Sequence, residues 1–129
     1  MKLRTEKHTY TIEVEHNGEK GVFEVDPLLP DASARLLKKH TIKRRWRGGE
    51  MAEPEIDWVA MRIEKTQRTI VDWDVTDERD EKIECNDANK KMAFLLNAEL
   101  INKVLGKADD LGLGIEESED EELKNSPIG

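Results

Sequence analysis

His8 to Val25 reads HTYTIEVEHNGEKGVFEV. Tyr10, Ile12 and Val14 alternate with Thr9, Thr11, Glu13 and Glu15. Alternation of period two with β-branched side chains marks a strand that buries one face. Asn17-Gly18 follows, and both residues accept the positive φ of a tight hairpin turn. GVFEV then returns, with Phe23 and Val25 as its expected inward pair. Two strands alone are marginal in water. The rest of the chain must therefore supply an apolar cover, and its periodicity predicts helices.

DPLLPD ends the second strand, because its prolines at 27 and 30 remove ladder donors. Asp31 is placed to cap a short helix, ASARLLKKH, whose apolar content is Leu36 and Leu37. TIKRRWRGGEMAEPE predicts an extended segment around 41–46, then a loop at Gly48-Gly49 and a break at Pro54. From Glu55 to Trp73 the spacing is helical. Ile56, Val59, Ala60, Ile63 and Ile70 share a face that Gln67 interrupts, Pro54 suits the first turn, and Trp58 and Trp73 mark the rim of one stripe. Asn86 or Asp87 caps the next helix, with Met92, Ala93, Leu95 and Leu96 apolar. Asn97 reads as a fresh cap. Leu100, Ile101, Val104, Leu105, Ala108 and Leu111 then form an amphipathic face that Gly112 and Gly114 stop. The expected fold is α+β: an N-terminal β-hairpin, or three strands, packed on three to four helices. Residues 1–111 form the single expected domain, and 112–129 an acidic, solvated tail.

The chain has 129 residues, 36% of them hydrophobic and 39% charged, which implies one domain with a thin core. The net charge of −8 favours solubility and argues against general nucleic-acid affinity. Residues 1–50 hold eleven Lys and Arg against eight Asp and Glu, whereas residues 51–129 hold ten against twenty-one. One cysteine, Cys85, permits no internal disulfide and fits a reducing compartment. No apolar run approaches the roughly 20 residues that span a bilayer. The start, MKLRTEKHTYTIEVE, has no apolar signal core, so the expected location is the cytoplasm, without membrane attachment.

Several stretches carry residue types that chemistry could use. An EF-hand loop needs glycine at its sixth position and glutamate at its twelfth. Counting from Asp72 places Asp77 and Ile83 there, and counting from Asp74 places Arg79 and Cys85, so both registers fail. The acids of 72–81 stand among other charges, where no apolar pocket raises one pKa for acid catalysis. Cys85 lacks a nearby base in sequence, and a half-buried structural thiol is the simpler role. The histidines His8, His16 and His40 have no metal spacing, and no glycine-rich phosphate loop is present. No catalytic residue, metal or cofactor is therefore expected. The basic run with Arg44, Arg45, Trp46 and Arg47 combines phosphate-neutralising cations with a stacking ring, the alternative reading as a small nucleic-acid-binding protein using residues 35–47. The last two helices carry more apolar surface than a thin core needs, and Leu96, Leu100, Ile101, Val104 and Leu105 are candidates to meet a partner helix.

Taken in order, the motifs form a pattern. A strand pair precedes VDPL at 25–28, and a long helix ends in IVDW at 70–73. An acidic D-E-x-D-x-x-I-x-C turn runs from Asp77 to Cys85, followed by NDANKKMAFLL and a last amphipathic helix. Over residues 8–111 this resembles the small proteins of tailed-phage tail modules, many of them considered tail assembly chaperones. Such proteins often carry a glycine after the acidic pair, where this chain has Arg79-Asp80-Glu81. The resemblance implies a non-enzymatic role in the bacterial host cytoplasm. Its partner would be the tape-measure protein, a long helical chain prone to aggregation.

Overall fold

The computed structural model describes residues 1–3, 8–42, 46–47, 50–51 and 54–113, with only the backbone described at 46–47 and 50–51. The expected hairpin is present. β1 (Tyr10–His16) and β2 (Glu19–Val25) pair antiparallel, with Ile12 opposite Phe23 and Val14 opposite Gly21. Asn17 and Gly18 turn the chain with φ of 52° and 80°, the backbone that an Asn-Gly pair adopts at least cost. Ile12, Val14, Phe23 and Val25 are buried, while Glu13, Glu15 and Val22 face outward.

α1 (Pro30–Lys39) begins at Pro30, preceded by Leu29, which makes no side-chain cap. Asp31 is thus not the cap. It lies in the first turn and pairs with Arg35 instead. The fixed φ of proline suits the first helical position and removes one unsatisfied donor. Leu36 is buried and Leu37 exposed.

The segment after α1 is a β excursion. β3 (Thr41–Ile42) pairs with β6 (Glu55–Ile56), and β4 (Trp46–Arg47) pairs with β5 (Glu50–Met51). Its two ends meet at a neck, where the His40 carbonyl accepts the Asp57 N–H at 2.9 Å and Thr41 lies opposite Ile56. This pairing takes Glu55 and Ile56 out of the expected helix and leaves Pro54 outside it. α2 (Trp58–Thr69) starts at Asp57, whose carboxylate accepts the Ala60 N–H at 3.0 Å.

α2 also ends early. Residues expected in its last turn form β7 (Ile70–Trp73), the third strand of the main sheet, in the order β1-β2-β7. Trp73 lies opposite Phe23 and Ile70 opposite Val25, with a bulge between. The bulge turns both Val71 and Asp72 to solvent, whereas Ile70 and Trp73 are buried. Sheet pairing thus overrides a local pattern that helix and strand satisfy equally well. The buried face of α2 differs accordingly, with Met61, Thr66 and Thr69 inside and Val59 exposed. Trp58 is exposed and Trp73 is core, so they do not share a stripe. Gln67 ties α2 to α3: its amide donates to the Asp87 carbonyl, and its own carbonyl accepts the buried Lys90 ammonium, both at 3.1 Å.

α3 (Asp87–Leu96) is capped by Asn86, which accepts the Asn89 N–H at 2.8 Å. α4 (Ala98–Leu113) follows after Asn97, whose carbonyl takes the Ile101 N–H. Gly112 does not stop α4. It lets the helix pass Pro27, whose Cβ would lie 2.9 Å from a Cβ added at the glycine. Residues from 114 onward, most of the expected tail, lie outside those described. The core joins the inner sheet face to Phe94 of α3 and to Ile101, Val104, Leu105 and Ala108 of α4, with Phe23 and Trp73 in edge-to-face contact at 6.4 Å. Each buried Val, Leu, Ile or Phe side chain contributes about 1.5–3 kcal/mol.

Candidate partner-binding cleft

The acidic turn after β7 is built by its own side chains. The Asp77 carboxylate accepts the N–H groups of Arg79 and Glu81 at 2.8 and 3.0 Å, and its N–H donates to the Glu81 carbonyl. Short polar side chains that bond nearby backbone in this way replace a regular ladder in turns. Asp80 takes the left-handed φ of 61°, a backbone that Asp tolerates better than most residues other than glycine. The two arms of the turn are joined where the Ile83 N–H meets the Val75 carbonyl and Thr76 bridges Lys82. The Trp73 indole N–H donates to the Ile83 carbonyl at 2.8 Å, fastening the turn to the core. Glu78, Asp80 and Glu81 remain in water.

Between this turn, the hairpin end and the α3–α4 junction lies a cleft of about 340 Å³. Its apolar lining includes Phe23, Trp73, Ile83, Met92, Ala93 and Leu100. His16, Glu19, Lys20, Asp74 and Asn97 supply polar groups. Such a volume is at the small end of ligand sites and accommodates one or two large side chains. Beside it, α3 exposes Met92, Leu95 and Leu96, at 39%, 53% and 76%.

The candidate partner residues divide. Leu96 is on the surface, and Leu100 is half-buried at the cleft wall. Ile101, Val104 and Leu105 are at most 1% exposed and serve the core, because the inner sheet face takes up that side of α4. Ile101 reaches the cleft only as part of its floor. Met92, outside the candidate partner residues, lies one helical turn before Leu96 on α3 and lines the cleft. The sheet residues of the lining carry no local sign of their role. Arg44 and Arg45 lie outside the described residues, and the backbone of Trp46 and Arg47 forms β4 opposite Met51 and Glu50.

Cys85 is half-buried against the core. Burial pushes its thiol pKa up, the Lys90 ammonium opposes this, and Asp72 and Asp87 add to it. That environment is the reverse of the electropositive one that activates thiols. Elsewhere, Glu64 gathers Lys39 at 2.6 Å, His40 at 3.2 Å and Arg68 at 3.7 Å, joining α1 to α2. The Lys39 ammonium holds the Glu64 carboxyl below its usual value, partial burial works against this, and His40 adds to the lowering. Among the described residues, no three His, Cys, Asp or Glu side chains gather into a metal site, and no helix is long and apolar enough to cross a membrane. Compared with protein-family models, curated proteins and solved structures, the chain has no match.

Proposed function

We propose that the chain is a non-enzymatic binding protein of phage or prophage tail morphogenesis, a tail assembly chaperone acting in the bacterial host cytoplasm on the tape-measure protein. The observation that carries this reading is the exposed apolar ridge of α3, where Leu95 and Leu96 stand 53% and 76% exposed beside a cleft of mixed apolar and polar lining. Adjacent large apolar residues on the surface have a use when they cover an apolar stripe of another chain. The charge of −8 keeps such a complex dispersed. The order of motifs from residue 8 to 111 agrees with that role.

Co-expression tests it. A candidate tape-measure chain is produced with and without this protein, and the soluble fraction is compared. The expected result is a client that stays soluble and co-purifies. A client equally insoluble in both conditions overturns the reading.

A further inference from the structure

We infer that the cleft seats an amphipathic helix of the partner, one whose apolar ridge is flanked by lysine and arginine. This rests on the reading of the chain as a binding protein and adds the chemistry of what is bound.

The floor is core. Phe23 and Trp73 form it from the sheet and Ile101 from α4, so an apolar side chain entering the cleft meets fixed surfaces rather than mobile ones. The apolar surface does not end at the mouth. Met92 lines the cleft, and Leu96 stands one helical turn further along α3. Met92 and Leu96 lie one helical turn apart on α3, and Leu100 follows on α4 beyond the non-helical Asn97. Apolar points one turn apart are what the i, i+3 and i+4 anchors of a helix lying in a groove would meet. A small molecule would fill the cleft and leave the ridge uncovered.

The rim determines the charge of the occupant. Glu19 and Asp74 line the cleft with Lys20, whose ammonium is 3.5 Å from Glu13. Thr76 and Ile83 also line it, and the turn between them adds Asp77, Glu78, Asp80 and Glu81 against Arg79 and Lys82. Lys103, 3.5 Å from His16, is a further cation on the hairpin side. Carboxylates therefore predominate on the side of the sheet and turn. A cationic flank on the occupant is drawn there, whereas phosphate is repelled, which disfavours nucleic acid as the occupant.

The test uses the full chain and synthetic helical peptides of about five turns. Two peptides share one Leu/Phe ridge, flanked by Lys and Arg in the first and by Glu in the second. Binding is followed by NMR at the Trp73 indole N–H and the Met92 methyl. The basic-flanked peptide is expected to shift both signals and to bind at least about tenfold tighter than the acidic one. Leu96→Glu, and separately Glu78→Lys with Glu81→Lys, are each expected to weaken it by a similar factor. All three positions are exposed, and unchanged amide spectra confirm that the variants fold. Equal affinity for the two peptides, shifts confined to the outer sheet face around Val22 and Val71, or no shifts at all would overturn the assignment. Co-expression separates this failure from that of the broader reading. If wild type and Leu96→Glu solubilise the tape-measure chain equally, the chaperone role stands and the cleft loses its part. If wild type does not solubilise it, the chaperone role falls and the peptide titration alone decides the cleft.

Discussion

Alanine substitutions at Ile101 and Leu96 separate core from partner surface on two neighbouring helices. Ile101 is 1% exposed and packs in the main cluster. Truncating a fully buried isoleucine to alanine costs about 2–5 kcal/mol, the sum of lost transfer energy and the cavity left behind. The higher helix propensity of alanine returns only a few tenths of a kcal/mol, so the cavity wins. Leu96 keeps 76% of its surface in water when folded, and its removal is expected to change stability by no more than about 0.5 kcal/mol. In urea, with a slope of about 2 kcal/mol/M, a loss of about 3 kcal/mol lowers the Ile101→Ala midpoint by about 1.5 M. Leu96→Ala should unfold within about 0.3 M of wild type on the same slope. Helical circular dichroism follows both transitions. Client or peptide binding should fall for Leu96→Ala at full stability. A Leu96→Ala midpoint as low as that of Ile101→Ala would show that Leu96 is covered in solution, and would remove the ridge from the binding surface.

Asp80 holds a left-handed φ of 61°. Asp80→Gly should raise stability by about 0.5–1 kcal/mol and Asp80→Val should lower it by about 1–2 kcal/mol, read as opposite shifts in thermal midpoint. Glu64 has a carboxyl pKa held below the usual 4.5, first by Lys39. Its contribution is therefore fully present above that pH and lost as pH falls through the lower folded-state value. Unfolding curves should show wild type exceeding Glu64→Gln in stability at neutral pH, with the gap closing in acid. A gap that widens in acid would contradict the assignment. Cys85, its thiol pushed up by burial, should react with iodoacetamide at pH 8 more slowly than a free thiol, and at the ordinary rate in urea. Mass spectrometry of the alkylated chain measures both.

The parts legible in the sequence are those that local chemistry decides. Asn17-Gly18 between alternating strands fixes the hairpin, Asn86 fixes the start of α3, and the spacing from Leu100 to Ala108 fixes the buried face of α4. The boundary at Thr69 was not legible, because IVDW suits a helix end or a short strand and the choice is made by Phe23 and Val25, more than forty residues earlier. The neck at His40 and Asp57 was hidden for the same reason. The acidic turn was legible as exposed acid, whereas the part played by the Asp77 carboxylate emerges only from its backbone bonds. The cleft was least visible, since hairpin, turn and two helices each contribute a wall. Ile101, Val104 and Leu105 looked like spare apolar surface because the sheet face that consumes them is set by long-range pairing.

The junction of His40 with Asp57 has a practical consequence. It works as a gatepost pair: the sixteen residues from Thr41 to Ile56 leave and re-enter at one place. Ring-closure entropy rises only with the logarithm of length, so ten extra residues spliced between the posts cost about 0.4 kcal/mol. Insertions at this gate can therefore vary in length while the body stays the same, and a reporter or affinity tag introduced there touches none of the residues that line the cleft.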